Sequence, residues 1–172
     1  VTATRSLLEH AHQSTNPPHA SAASAAHRAV STLTGPLIDH LPNHATGDRT
    51  VDLRLSAPFH DHRCAAVAAL LTRLQPTGTV SIAVQPHATS LDLVALRRVL
   101  DNHQRTAPTP PKAIEVVLDG HSDPVTGEPG RYRHGKLIEW TDPTGQAWAM
   151  TGSPTLSQAA LLHTSALIVD GE

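Results

Sequence analysis

His134 and Lys136 set an imidazole and an ammonium two residues apart, with Gly135 between them. An imidazole can attack phosphorus or carry a proton, and an ammonium can hold an oxyanion. Residues two apart on a β-strand share one face, so both groups point the same way and Gly135 leaves the opposite face bare. Further on, Gly152-Ser153-Pro154-Thr155-Leu156-Ser157 brings hydroxyl groups to the start of an apolar segment. Ser153, or Thr155 with Gln158 as a capping box, opens a helix running through Leu162, whose free N–H groups suit an anion.

The elements that join these two groups are a pair of strands. Tyr132 to Trp140 and Gln146 to Thr151 read as strand-like runs around Asp142-Pro143-Thr144-Gly145, a strong turn signal. A turn centred on Pro143-Thr144 sets His134 opposite Ser153 and Lys136 opposite Thr151. An imidazole, an ammonium and a hydroxyl then converge, as a phosphate pocket requires. Arg131 and Arg133 flank the motif and, by alternation, point away from His134 into solvent.

This arrangement, His134-Gly135-Lys136, a hairpin, then Gly152-Ser153-Pro154-Thr155, resembles the phospholipase D superfamily pattern of HxK, a spacer and GSxN before a helix. The likeness extends more weakly back to about Val51. It implies a fold of two such halves around one active site, acting without metal or other cofactor through a covalent phosphohistidine. It also implies that His134 is the nucleophile or its acid partner, that Lys136 clamps the phosphate, and that Ser153 binds the phosphoryl oxygens. Thr155 stands at the asparagine position, where it donates one hydrogen bond in place of the amide's two. The implied substrate is a phosphodiester, nucleic acid or phospholipid; nucleic acid is favoured because the sequence carries no evident exposed apolar stripe or basic amphipathic helix. The chain carries a single HxK, so a second copy of itself or a missing half-domain is the implied partner. The pattern departs where the family has its aspartate: that position is Thr141, and Asp142 reads as the first turn residue. A degenerate, non-catalytic domain that binds phosphate or a partner protein is the alternative.

Upstream, Val51, Leu53 and Leu55 alternate with polar residues as in a half-buried strand. Ala65 to Leu74 has helical apolar spacing, Thr79 to Val84 is a strand, Ser90 caps a second helix through Leu93, Leu96, Val99 and Leu100, and Ala113 to Leu118 is a third strand. This alternation predicts an α/β fold, a mixed β-sheet flanked by helices, forming a phospholipase D-like half-domain over residues 51–172. Asp119 to Gly130 is a loop. Residues 1–50, rich in Ala, Ser, Thr and His, read as a helical or partly disordered N-terminal segment. The apolar run Ala166 to Val169 near the chain's end suggests truncation before a further strand.

Composition narrows the function classes. A net charge of −2 with histidines neutral excludes a global basic field, so phosphate contacts must be local. With 2% aromatic residues, the core must be built from Leu, Val, Ile and Ala. Cys64, the single cysteine, excludes an internal disulfide and a zinc site of paired cysteines. No run approaches the length of a membrane span and no signal-peptide core precedes Gln13, which suggests a cytoplasmic protein without a membrane anchor. His10, His12, His60 and His62 lack the spacing of a metal site and read as surface histidines.

Overall fold

The computed structural model describes residues 28–33, 35–85, 89–118, 135–152 and 155–164. In chain order the elements are β1 (Leu53–Ser56), α1 (Ala65–Leu74), β2 (Thr79–Val84), α2 (Leu93–Thr106), β3 (Ala113–Leu118), β4 (Leu137–Thr141), β5 (Ala147–Thr151) and the single turn α3 (Gln158–Leu161), preceded by two 3-10 turns, Leu37–His40 and His44–Thr46. The fold is α/β: a five-stranded mixed sheet, ordered β3-β2-β1-β4-β5, with helices packed against it. β1, β2 and β3 are parallel, whereas β4 is antiparallel to both β1 and β5.

Strand alternation explains the core. Leu53 and Leu55 of β1, Val80 and Ile82 of β2 and Ile138 of β4 are buried, and helix α1 sends in Val67, Leu70, Leu71 and Leu74 at three- and four-residue spacing. Aliphatic side chains fill this space; Phe59 and Trp148 are 47% and 45% exposed. Leu37 and Leu41, ahead of β1, belong to the same cluster. Arg73 fastens them, its guanidinium donating to the carbonyls of Asp39 (3.1 Å) and Leu41 (3.0 and 3.2 Å). Residues 1–27, within the expected helical or disordered segment, lie outside the described residues, as do Asp119 to Gly130 and Ala166 to Val169.

Two expected boundaries move. Helix α2 begins at Leu93, and its cap is Asp92, whose carboxylate accepts from Val94 N (3.0 Å) and Ala95 N (2.9 Å); Ser90 instead forms a bridge with Phe59. A carboxylate that reaches two free N–H groups caps better than a hydroxyl further out. In the β4–β5 hairpin, Leu137 rather than Lys136 lies opposite Thr151. The loop holds three residues instead of two, because Gly145 takes a left-handed conformation (φ 83°) after the turn and adds one position. Asp142 stabilises that loop, accepting from Thr144 N (2.8 Å), Thr144 Oγ1 (2.6 Å) and Gln146 N (3.0 Å), and these bonds hold its carboxyl below the usual range.

Cys64, fully buried, stands at the head of α1 with φ 52°. Burial first, then the carboxylates of Asp61 and Asp92, push its thiol up to about 11, so it remains an inert thiol. Among the described residues no helix is long and apolar enough to cross a membrane.

Helix α2 turns Leu96, Leu100 and His103 inward, and His103 Nε2 is buried without a hydrogen bond. Burial lowers the pKa of His103 below its ordinary 6.5, as it does for His60. The unfolded chain therefore binds more protons between the folded value and 6.5. The stability that goes with neutral histidine is fully present above 6.5 and is lost as pH falls through that window. Urea unfolding at pH 7.5 and 5.5 should show a loss on acidification that is smaller in His103→Leu, with neutral-pH stability equal or higher. An undiminished pH slope in the variant would refute this account of His103.

Candidate functional site

The mixed pairing of β1 decides where the chemistry collects. With β4 antiparallel to β1 and β5 antiparallel to β4, the start of β4 and the end of β5 lie at the same sheet edge as the carboxyl ends of β1 and β2. In parallel-stranded sheets this is the edge at which loops form ligand sites. Four segments lie there: 57–64 after β1, the approach to α2 at 89–92, the approach to β4 at 135–136, and 152 with 155–157 after β5.

Backbone bonds tie the loops together. His60 N donates to Ser90 O (3.1 Å) and Ser90 N to Pro58 O (2.8 Å); Asp61 N donates to Leu156 O (3.1 Å) and Leu156 N to Phe59 O (3.2 Å). Phe59 and His60 thus act as a short strand bridging Ser90 on one side and Leu156 on the other. Asp61 turns its carboxylate to the start of α1, accepting from Ala65 N (2.7 Å) and Ala66 N (3.0 Å), the cap that Cys64 does not supply. His62 is exposed and pairs with Asp92 at 3.4 Å.

Lys136 is 7% exposed. It shares the inner face with Ile138, since residues two apart on a strand do so. Extending the β1–β4 register by one residue beyond Ser56↔Leu137 places it opposite the buried Ala57. No carboxylate is within ion-pair distance of its ammonium among the described residues. A positive side chain at this position suits an incoming anion. Thr151 does not face Lys136 side by side as expected; its hydroxyl donates to the Lys136 carbonyl (3.0 Å) and holds the strand start to the end of β5.

His134 and Ser153 lie outside the described residues, as do Arg131, Arg133 and Pro154. Thr155 is half-buried, and its hydroxyl pairs with that of Ser157 at 2.9 Å. Ser157, not Ser153 or Thr155, caps the helix, accepting from Ala160 N (3.4 Å). Helix α3 is therefore one turn starting at Gln158, shorter than expected, because Leu156 is drawn into the bridge with His60. A single turn has little dipole to offer an anion.

The group that sequence reasoning missed is His60. It is 9% exposed, not a surface histidine, and neither ring nitrogen has a hydrogen-bond partner among the described residues. Burial lowers its pKa, only partly opposed by the Ala57 carbonyl and the Asp61 carboxylate. The available signal was its place after Pro58-Phe59 at a strand's carboxyl end, where a buried polar group points to a ligand. Among the described residues no three His, Cys, Asp or Glu side chains come together as a metal site.

Asp61→Ala removes both caps of α1 and should lower stability to urea by about 1–2 kcal/mol. A loss below ~0.3 kcal/mol would mean that Asp61 does not hold the loop. Compared with protein-family models, curated proteins and solved structures, the chain finds no match in any of the three.

Proposed function

We propose that this chain is a metal-independent phosphodiester hydrolase or phosphotransferase of the phospholipase D type, acting on nucleic acid in preference to phospholipid. The observation that carries the reading is Lys136, a buried residue with no carboxylate within ion-pair distance among the described residues, set at the loop-bearing edge of the sheet two residues after His134. A phosphodiester supplies the missing negative charge, and the ammonium stabilises the charge that builds on the phosphoryl oxygens during attack. His134 is the nucleophile: its nitrogen bonds phosphorus as the bond to the leaving oxygen breaks, and water then displaces the histidine.

A second reading, a domain that binds phosphate without turning it over, draws support from Thr155. Its hydroxyl is already spent on Ser157, so the position where the family pattern has asparagine offers less to a phosphoryl oxygen.

Hydrolysis of bis(p-nitrophenyl) phosphate separates the two. The catalytic reading expects turnover that survives EDTA, disappears in His134→Ala and falls about 10²- to 10³-fold in Lys136→Met, which keeps the buried stem and removes the charge. Loss of turnover with EDTA, or full rate in Lys136→Met, rejects it. Saturable binding of inorganic phosphate by a chain without turnover establishes the second reading in its place.

A further inference from the structure

An edge strand exposes a row of unpaired N–H and C=O groups, and proteins usually blunt it with a charge, a proline or a bulge. β3 carries no such guard. It is an outer strand of the sheet among the described residues, and its pairing with β2 runs without interruption from Thr79↔Ala113 to Val84↔Leu118. Val116 is 44% exposed, Val117 38% and Leu118 70%, so apolar side chains meet water on both faces of the strand. Its one charged residue, Glu115, turns back toward β2, where it accepts from Ser81 Oγ. We propose that β3 is a dimerisation edge: a second copy of this chain pairs with it antiparallel across a two-fold axis, joining the two sheets into one.

The strand's own residues select that occupant. The N–H of Lys112 donates to Gly78 O (2.8 Å) on the β2 side, so by alternation the backbone groups of Glu115 and Val117 point outward. Residues directly opposite in an antiparallel pair share a face, so a two-fold axis perpendicular to the sheet passes through a residue. With the axis at Val116, Glu115 exchanges backbone bonds with Val117 of the second copy, Val116 meets its own copy, and Ile114 meets Leu118. Apolar residues then pair with apolar ones along the whole face toward α2. An axis one residue earlier sets the two Glu115 side chains directly opposite, a destabilising like-charge pair. An axis one residue later pairs only 116–118 within the strand. One register satisfies the edge, and an identical strand completes it.

The flank of β3 supports the same axis. A groove of about 480 Å³ lies between the strand and α2, lined by Leu93, Leu96 and Leu100 of the helix and by Ile114 and Val116 of the strand. Gln104 Nε2 donates to Pro111 O (3.4 Å) at one end of the groove, and the helix runs opposite to β3, which brings Leu93, 64% exposed, to the Val116 end. Across the axis the two grooves adjoin, and Leu93, Val116 and Leu118 of both copies leave water together. Charge does not oppose the contact: Arg97 and Asp101 at the groove pair within the chain at 3.6 Å, and Lys112 stands four residues from the axis. β4 is three strands in from β3, so the two Lys136 residues stand seven strand spacings apart, about 34 Å. This pair does not join two motif edges in one cleft, and the inference is independent of the phosphodiesterase reading.

Sedimentation equilibrium of the full chain should show twice the chain mass, with a dissociation constant below about 100 μM. Val116→Lys sets two ammonium groups opposite each other at the axis and should raise that constant about 10²-fold, with far-UV circular dichroism unchanged. Val116→Cys places two thiols on a non-hydrogen-bonded pair, Cα atoms about 4.5 Å apart, and should cross-link to a dimer on mild oxidation. Ala113→Cys, whose copy lies about 20 Å away, should not. Cys64 is buried and takes no part in the cross-link. The cysteine variants keep the strand uncharged, so they decide the matter where Val116→Lys fails to fold. A wild type that stays monomeric at about 100 μM overturns the inference, and so does open-ended polymer, the product of pairing between unlike edges. A dimer that persists undiminished in folded Val116→Lys, that does not cross-link through Val116→Cys, or that cross-links equally through Ala113→Cys has its contact elsewhere and overturns it too.

Discussion

Everything at the candidate site depends on how β1 is paired. It bonds in parallel to β2 and antiparallel to β4, and both pairings are anchored by Leu53 and Leu55, which are buried on the face covered by α1. A one-residue slip on either side would send these leucines to the opposite face, so the register is strongly fixed. The parallel side places the 57–64 loop beside the approach to α2. The antiparallel side brings Lys136 and the end of β5 to the same edge. Neither pairing alone would bring the 57–64 loop and Lys136 to one edge; the candidate site follows from a strand that takes both kinds of neighbour.

The chemistry of that edge rests on side chains more than on backbone dipoles. A phosphate held by a long helix N-terminus shares its charge with several N–H groups. Here α3 is a single turn whose cap is Ser157, and the N-termini of α1 and α2 are occupied by Asp61 and Asp92. With the helix ends filled by the chain's own carboxylates, Lys136 is, under the proposed reading, the source of positive charge for a ligand, carrying work that other architectures spread over a loop of amides.

Much of the fold was legible in the sequence. The apolar spacing of Ala65 to Leu74 and the β-branched runs Thr79 to Val84 and Ala113 to Leu118 mark their elements to the residue, because each lies between clear stops and has one dominant period. Boundaries set by a single side chain were less visible. Asp92 outcompetes Ser90 as a cap, and Gly145 adds a loop residue that moves the hairpin register by one. The site was half legible. Lys136 stands out through its spacing to His134, whereas His60 resembles any polar residue of a His-Asp-His turn until tertiary pairing with Ser90 and Leu156 buries it. Burial of a loop residue is a long-range property, and local pattern does not encode it.

The departures from the phospholipase D pattern have a common physical thread. The aspartate position is Thr141, whose hydroxyl lies 3.3 Å from the Asp52 carboxylate and accepts from Asp52 N at 3.1 Å, stitching β4 to the strand before it. Asp142, one residue on, is committed to the turn, and Thr155 to Ser157. Each of these polar groups already has an internal partner, so none can reorient toward a ligand without giving up a hydrogen bond worth about 1 kcal/mol. Among the described residues, Lys136 has no carboxylate within ion-pair distance. A group that the fold leaves without a counter-charge has most to gain from a bound anion, and that asymmetry, more than the motif's spelling, supports the proposed reading of this edge of the sheet.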